Sequence, residues 1–219
     1  MKDVGPAARH TRRIIVNWMK PLEFSDVIDI SCGAGQLLSE IKEKLGKDLL
    51  FGTEFTEKAV EINRKKHVDM KFVTFDLEND PPLPKRDLVL CIDVLEHINN
   101  DQIALEKLRL MTNKYLIIAV PLGRVSNSER ESLGHIHGYK PNEFLSKLIS
   151  AGFIITKSLQ WGFPFYQFSR LITNKFPQSP AEGETTPFKK MIFSILYSLY
   201  FASVPILGGR FFVLCEPKP

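Results

Sequence analysis

Through the first 156 residues, short β-branched or apolar runs alternate with stretches whose apolar residues recur at helical spacing. The runs at Val27–Ser31, Leu49–Thr53, Met70–Thr74, Leu88–Ile92 and Tyr115–Ala119 predict strands. Helical patterns fall between them at about Gln36–Leu45, Thr56–Lys66 and Gln102–Met111. Such alternation is the mark of a mostly parallel sheet covered by helices. The first 20 residues predict a leading helix that starts after Pro6, with Ile14, Ile15 and Trp18 on one side. Asn79-Asp80-Pro81-Pro82 and Pro84 predict an irregular loop, because consecutive prolines deny hydrogen bonds to helix and ladder alike.

The pattern changes after the fifth run. Pro121–Gly138 reads as a polar loop and Pro141–Ala151 as a helix closed by Gly152. Phe153–Gln160 and Arg210–Glu216 predict two late strands. The stretch between them, Trp161–Gly209, is too long for a hairpin connection. It holds eleven of the chain's 23 aromatic residues, so it is no solvated linker.

Composition narrows the class. A chain of 219 residues suits one well-buried domain, and its 44% hydrophobic and 25% charged content is that of a soluble globular protein. Cys32, Cys91 and Cys215 form no CxxC pair, which argues against a disulfide framework or a structural zinc site. A reducing, cytoplasmic setting is the expectation, and Lys2, Asp3, Arg9, Arg12 and Arg13 interrupt any signal-peptide pattern. The net charge of +4 is uneven: residues 1–20 carry +4, residues 157–219 carry +4, and the middle carries −4. A uniformly basic nucleic-acid binder lacks such an acidic centre. A cationic ligand in the middle suits it, as does an anionic surface or substrate near the ends.

The strongest chemical signal is Val27-Ile28-Asp29-Ile30-Ser31-Cys32-Gly33-Ala34-Gly35-Gln36-Leu37-Leu38. An apolar strand enters a small-residue turn and passes directly into a helix. Glycines there let the backbone approach a ligand, and the helix start offers N–H groups to a carboxylate. Dinucleotide-binding proteins share this device. Their fingerprint asks for a third glycine, however, and Leu38 stands at that place. Glu54 ends the next run, where a carboxylate can accept from both ribose hydroxyls. Asp76 ends the third, where it can accept from an adenine amino group. Alternatively, strand-end acids merely cap the helices that follow.

Asp29–Gly35 resembles the first motif of class I S-adenosylmethionine-dependent methyltransferases, and Leu50-Phe51-Gly52-Thr53-Glu54-Phe55 resembles the motif after it. Phe72–Leu77 is similar to the adenine-contacting strand end of that family. Asp87–Ile98, with its Val94-Leu95-Glu96-His97, is similar to the fourth-strand signature of the small-molecule branch. The resemblance covers about residues 24–156. It implies an α/β, Rossmann-like, seven-stranded sheet with an antiparallel last strand and helices on both faces. Residues 1–219 would then be one methyltransferase domain: a helix over 1–23, a cofactor-binding core over 24–160, an aromatic-rich insertion or lid over 161–209, and the last strand over 210–219.

The same resemblance implies S-adenosyl-L-methionine as cofactor. Gly33 and Gly35 would face its methionine part and Asp29 its amino group. Glu54 would hold the ribose, while Phe55, Asp76 and Leu77 frame the adenine. Asp93 would stand at the pocket mouth and His97 would line the adenine side. Ser31 departs from the family pattern, since the motif usually has its first glycine there, and its Cβ would crowd the cofactor tail.

A general base is needed only for a protonated acceptor. His135 and His137 are the catalytic candidates, placed by alternation on one side of an extended stretch. They serve equally as hydrogen-bonding residues of a helix-entry loop, and no third residue suggests a metal site. Cys32 and Cys91 read as apolar filler.

Met191–Leu207 is seventeen residues without a charge, at the lower limit for a membrane span and weakened by Ser194, Ser198, Ser203 and Pro205. A span would also strand Arg210–Glu216 away from the sheet. The insertion is therefore either a lid over a small or lipid-like acceptor, with lysines on anionic headgroups, or an extension of the core or a dimer contact. No nucleic-acid partner is expected, because Asp93-Val94-Leu95-Glu96 replaces the Asn/Asp-Pro-Pro-Tyr type of motif. Methyl transfer to the acceptor is expected at oxygen. A non-catalytic cofactor-binding or scaffold protein and a nucleotide-cofactor oxidoreductase are the alternatives.

Overall fold

A computed structural model describes residues 5–168, 187–204 and 207–219. Seven strands form one sheet in the order β3-β2-β1-β4-β5-β7-β6. They are β1 (Asp26–Ile30), β2 (Leu49–Glu54), β3 (Lys71–Thr74), β4 (Arg86–Ile92), β5 (Thr112–Pro121), β6 (Phe153–Trp161) and β7 (Arg210–Pro217). Strands β1 to β5 pair in parallel, and β7 runs antiparallel to both β5 and β6. The expected sheet and its reversed last strand are therefore present.

The strands alternate between two cores. In β5, Leu116, Ile118 and Val120 join one apolar cluster while Ile117 and Ala119 join the other. In β7, Phe211, Val213 and Cys215 oppose Phe212 and Leu214 in the same way. Burial on both faces at a period of two is why these runs are continuously apolar. Each fully buried side chain of this size stabilises the fold by about 1.5–3 kcal/mol before entropy is counted.

Helices α1 (Pro6–Met19), α2 (Gln36–Leu45) and α3 (Glu57–Lys66) cover one face. On the other lie a 3₁₀ turn at Leu95–His97, α4 (Asp101–Met111) and, beyond α5 (Asn127–Leu133), α6 (Pro141–Ser150). Pro6 starts α1 as predicted, and Ile14, Ile15 and Trp18 are its buried side. Leu38, at the third-glycine place, is fully buried in the core.

One expectation needs correction. The polar stretch 121–138 is not all loop, because α5 forms within it. Ser126 accepts from Glu129 N while the Glu129 carboxylate accepts from Ser126 N, a reciprocal cap that offsets the short helix's lack of apolar residues. The insertion holds a further helix, α7 (Pro187–Tyr200), which packs against α1. The expected insertion residues 169–186, 205 and 206 lie outside the described residues. Among those described, no helix is long and apolar enough to cross a membrane. All three cysteines are free, with Cys91 and Cys215 buried and Cys32 half-buried.

Candidate active site

The parallel strands β1, β2, β3 and β4 end on one edge of the sheet, and β1 lies where the connections diverge to either side. Open α/β sheets place their ligands at such a switch point. The turn after β1 makes three left-handed backbone excursions, at Ser31 (φ 55°), Gly33 (φ 61°) and Gly35 (φ 73°). Gly35 then caps α2 in that conformation. A Cβ on Gly35 would stand 2.8 Å from His67 Nε2, so the position excludes a side chain by strain and by contact. Ser31 holds a left-handed conformation that glycine adopts without steric cost. A non-glycine residue there costs about 1–2 kcal/mol.

Neighbouring elements hold the turn from both sides. From β2, Thr53 Oγ1 accepts from Ser31 N at 3.0 Å and Thr53 O accepts from Cys32 N at 2.8 Å. The Glu54 carboxylate accepts from Gly33 N. From the end of α3, Asn63 Nδ2 donates to Gly33 O at 2.7 Å and Lys66 Nζ donates to Ala34 O at 2.9 Å. His67 Nε2 lies 3.0 Å from that same carbonyl. Sequence reasoning missed Thr53, Asn63, Lys66 and His67. Their only local signal is a position just before, or one to three turns after, the second strand end.

A cavity of about 390 Å³ opens beside this turn, a volume within the range of small-molecule sites. Asp29, Ser31 and Gly33 line it from β1 and the turn, Asp93 from β4, and Arg210 from β7. Its roof is α1, through Ala8, Thr11 and Arg12. None of the α1 residues, nor Arg210, was identified from sequence. Arg12 Nε donates to Glu40 Oε1 at 2.5 Å, which ties the roof to α2. Burial works against the Glu40 charge, but hydrogen bonds from Lys44 and Arg12 outweigh it and hold the carboxyl below its ordinary value.

The roof is itself held by α7. His10, fully buried on α1, lies with its ring centroid 4.4 Å from that of Tyr197 and 4.7 Å from that of Phe201. His10 Nε2 is 2.8 Å from Tyr197 O. Burial depresses the His10 pKa, with Arg13 and Arg9 adding to the effect, so the ring is neutral near pH 7 and Nε2–H donates to the carbonyl.

The other predicted residues are placed as follows. Glu54 and Asp76 stand on adjacent strand ends, where Phe75 N donates to Glu54 O at 3.0 Å. Asp76 accepts from Asn79 Nδ2 at 2.7 Å and from Glu78 N at 2.8 Å. The Asn79 contact is the largest influence on its carboxyl, which titrates below the usual value. Phe55 is exposed beside Glu54, whereas Leu77 is buried in the core. Glu54, Phe55, Asp76 and Leu77 thus follow the strand ends outside the lining of the cavity.

Neither His135 nor His137 lines that cavity. His137 Nε2 lies 2.9 Å from Ile98 O, which makes it a donor to the backbone. His135 Nε2 is 4.0 Å from the buried Glu96 carboxylate, and its ring lies 5.0 Å from that of His97. Ligand atoms of Glu96, His97 and His135 all fall within 4.8 Å of one another. The expectation of no third residue for a metal-type cluster is corrected accordingly: His135 joins Glu96 and His97, and its sequence partner His137 stands apart. His97 Nδ1 is 3.2 Å from Gly134 O.

Residues 28–114, from β1 to the start of β5, match the model of a methyltransferase domain. No curated protein matches the sequence. Among solved structures, a [4+2]-cyclase, SpnF, is 14% identical with a TM-score of 0.67, covering 97% of this chain and 82% of its own. Magnesium protoporphyrin IX methyltransferase from Synechocystis PCC 6803, with bound S-adenosylhomocysteine, is 18% identical with a TM-score of 0.59, covering 95% and 83%. A protein named as a sarcosine dimethylglycine methyltransferase from Galdieria sulphuraria is 9% identical with a TM-score of 0.66, covering 97% and 87%. At these identities the likeness shows the fold. The chain has the Rossmann-like fold shared by these structures, and its residues 28–114 match the model of a methyltransferase domain.

Proposed function

We propose that this protein transfers the methyl group of S-adenosylmethionine to a small or lipid-like acceptor, at oxygen. One observation carries the reading: the strained glycine turn and the acids Asp29, Glu54, Asp76 and Asp93 are gathered on a single sheet edge. When bound, the cofactor supplies a methyl carbon already activated by positive sulfur. Asp29 is suited to its amino group, and the Gly33–Gly35 backbone to close approach by its methionine part. Glu54 is suited to the ribose hydroxyls, with Phe55, Asp76, Leu77 and His97 on the adenine side and Asp93 at the mouth. Ser31 adds its backbone to the same turn. Alignment of the two reactants by such a site is worth up to about 7–11 kcal/mol of barrier.

A hydroxyl acceptor needs a base, and of the two histidines His135, with the Glu96 carboxylate 4.0 Å from its Nε2, suits that role from outside the cavity lining. His137, held by a carbonyl, supports the loop that carries it. The lipid-like part of the proposal is favoured by Met191, Ile195 and Leu199, which recur every fourth residue and are exposed along α7. Contact of the 161–209 insertion with a membrane surface, in a cytoplasmic setting, follows from that reading. The Lys189 and Lys190 side chains invoked for headgroup contact lie outside the described residues.

Calorimetry with S-adenosylhomocysteine tests the site, and Glu54→Gln is expected to weaken binding about 10–100-fold. Turnover is then sought with cell extract and cofactor, scored as a metabolite that gains one methylene in mass. No affinity for the cofactor sinks the proposal. A second reading, a cofactor-binding or scaffold protein without methyl transfer, is favoured by the neighbour named as a [4+2]-cyclase, since one fold hosts unrelated chemistries. Tight binding with no turnover across extracts supports it.

A further inference from the structure

Strand β7 begins at Arg210, opposite Pro121 of β5 and Trp161 of β6. Because β7 runs antiparallel, its first residue stands at the edge where β1 and β4 end. With β5 between them, the backbones of β4 and β7 are roughly 10 Å apart. The Arg210 side chain crosses this gap, and its Nη2 lies 2.6 Å from both Asp93 oxygens. It approaches from the side away from β1, β2 and β3. The carboxylate of Asp93 is 41% exposed, whereas the Arg210 side chain is only 9% exposed.

Arg210 is incompletely satisfied. A guanidinium has five N–H donors, and buried ones are normally all paired. Arg210 Nε is shut from solvent and has no hydrogen-bond partner among the described residues. Thr11 Oγ1, on the α1 roof of the same cavity, is buried and lacks a partner in the same way. Asp93 engages the guanidinium through Nη2 alone, and a cationic cofactor offers no acceptor to the unpartnered Nε from its sulfonium or amino group. The methionine end of that cofactor belongs at the β1–α2 turn, two strands beyond β5 from Arg210. The missing partner is thus an anion on the other reactant.

We propose that Arg210 anchors an anionic group, a carboxylate or a phosphate, on the methyl acceptor, an inference that rests on the methyltransferase reading above. Asp93 holds the guanidinium at the cavity wall until that anion arrives, and then shares it. An arginine suits the role because its fork meets a carboxylate or phosphate with two parallel hydrogen bonds.

The test titrates benzoate, phenyl phosphate and neutral benzamide into the protein by calorimetry, with and without S-adenosylhomocysteine. At least one anion is expected to bind about tenfold or more tightly than benzamide. Arg210→Gln is expected to lose that preference while its affinity for S-adenosylhomocysteine changes less than about threefold. Asp93→Asn removes the internal competitor and is expected to tighten anion binding about tenfold. Anions that bind no better than benzamide overturn the proposal. An Arg210→Gln protein that loses S-adenosylhomocysteine instead assigns the guanidinium to the cofactor's own carboxylate, and also overturns it. If Arg210→Gln does not fold, Asp93→Asn decides alone, since unchanged or weaker anion binding there refutes the anchor. Wild-type protein that binds an anion but not S-adenosylhomocysteine sinks the methyltransferase reading and leaves the anion site standing.

Discussion

The β1–β3 edge and the roofed cavity beside it are built in different ways. Along the edge, contacts join neighbouring βα units: Ser31 N reaches Thr53 across 22 residues and Asn63 reaches Gly33 across 30. The roof and far wall are assembled from remote segments. Asp93 and Arg210 are 117 residues apart, and His10 and Tyr197 are 187 apart. The first region is a repeated local device, in which successive strands end on the same edge of the sheet. The second depends on where the chain's early and late segments are laid, so its chemistry can change without disturbing the first.

The sharpest way to break this contrast is Gly35→Val. The β-branched side chain meets a φ of 73° and the His67 ring together. Destabilisation of at least about 2 kcal/mol and loss of S-adenosylhomocysteine binding are expected, by thermal melting and calorimetry. A variant that binds normally would remove the glycine turn from the site.

Acid should loosen the roof. The folded Glu40 carboxyl sits below its ordinary value of 4.5 because the Lys44 and Arg12 hydrogen bonds outweigh burial. Its contribution is complete above the unfolded value and is lost as pH falls through the folded one. Wild type and Arg12→Gln should differ by up to about 1 kcal/mol at neutral pH, a figure already discounted for partial exposure. The gap should close in urea melts as pH falls through the folded Glu40 value. Curves that stay parallel would show that the Arg12–Glu40 pair does not fasten α1.

The smallest expected effect runs the other way. Ser31→Gly relieves the left-handed serine at some cost in chain entropy, for a net gain of roughly 0.5–1 kcal/mol. Cofactor affinity should hold or improve. Weaker affinity would mean that the serine hydroxyl contributes to the ligand's contacts.

How legible each region was from the residues follows from the same contrast. The strands were readable because burial on both faces demands continuous apolar runs such as Leu88–Ile92, and the glycine turn because its backbone needs are printed in small residues. Helix α5 escaped because it buries little apolar surface, although Ser126 and Glu129 carry the spacing of a reciprocal cap. His135 and His137 are half-buried and Ile136 is exposed, but alternation could not tell which partners each imidazole would meet. Arg210 escaped for a deeper reason. Its partner is chosen by sheet order, and no local pattern encodes which strand end an antiparallel return will meet.

His10 is closed in by Tyr197, Phe201 and Trp161, with the Arg9 and Arg13 guanidiniums stacked over the first two of these rings at 3.9 and 4.2 Å. Peeling α1 away from the cavity would expose this aromatic nest to water and strip the imidazole of its carbonyl. These rings stand behind α1 without lining the cavity, and Tyr197→Ala is expected to change the rate at which a ligand leaves it.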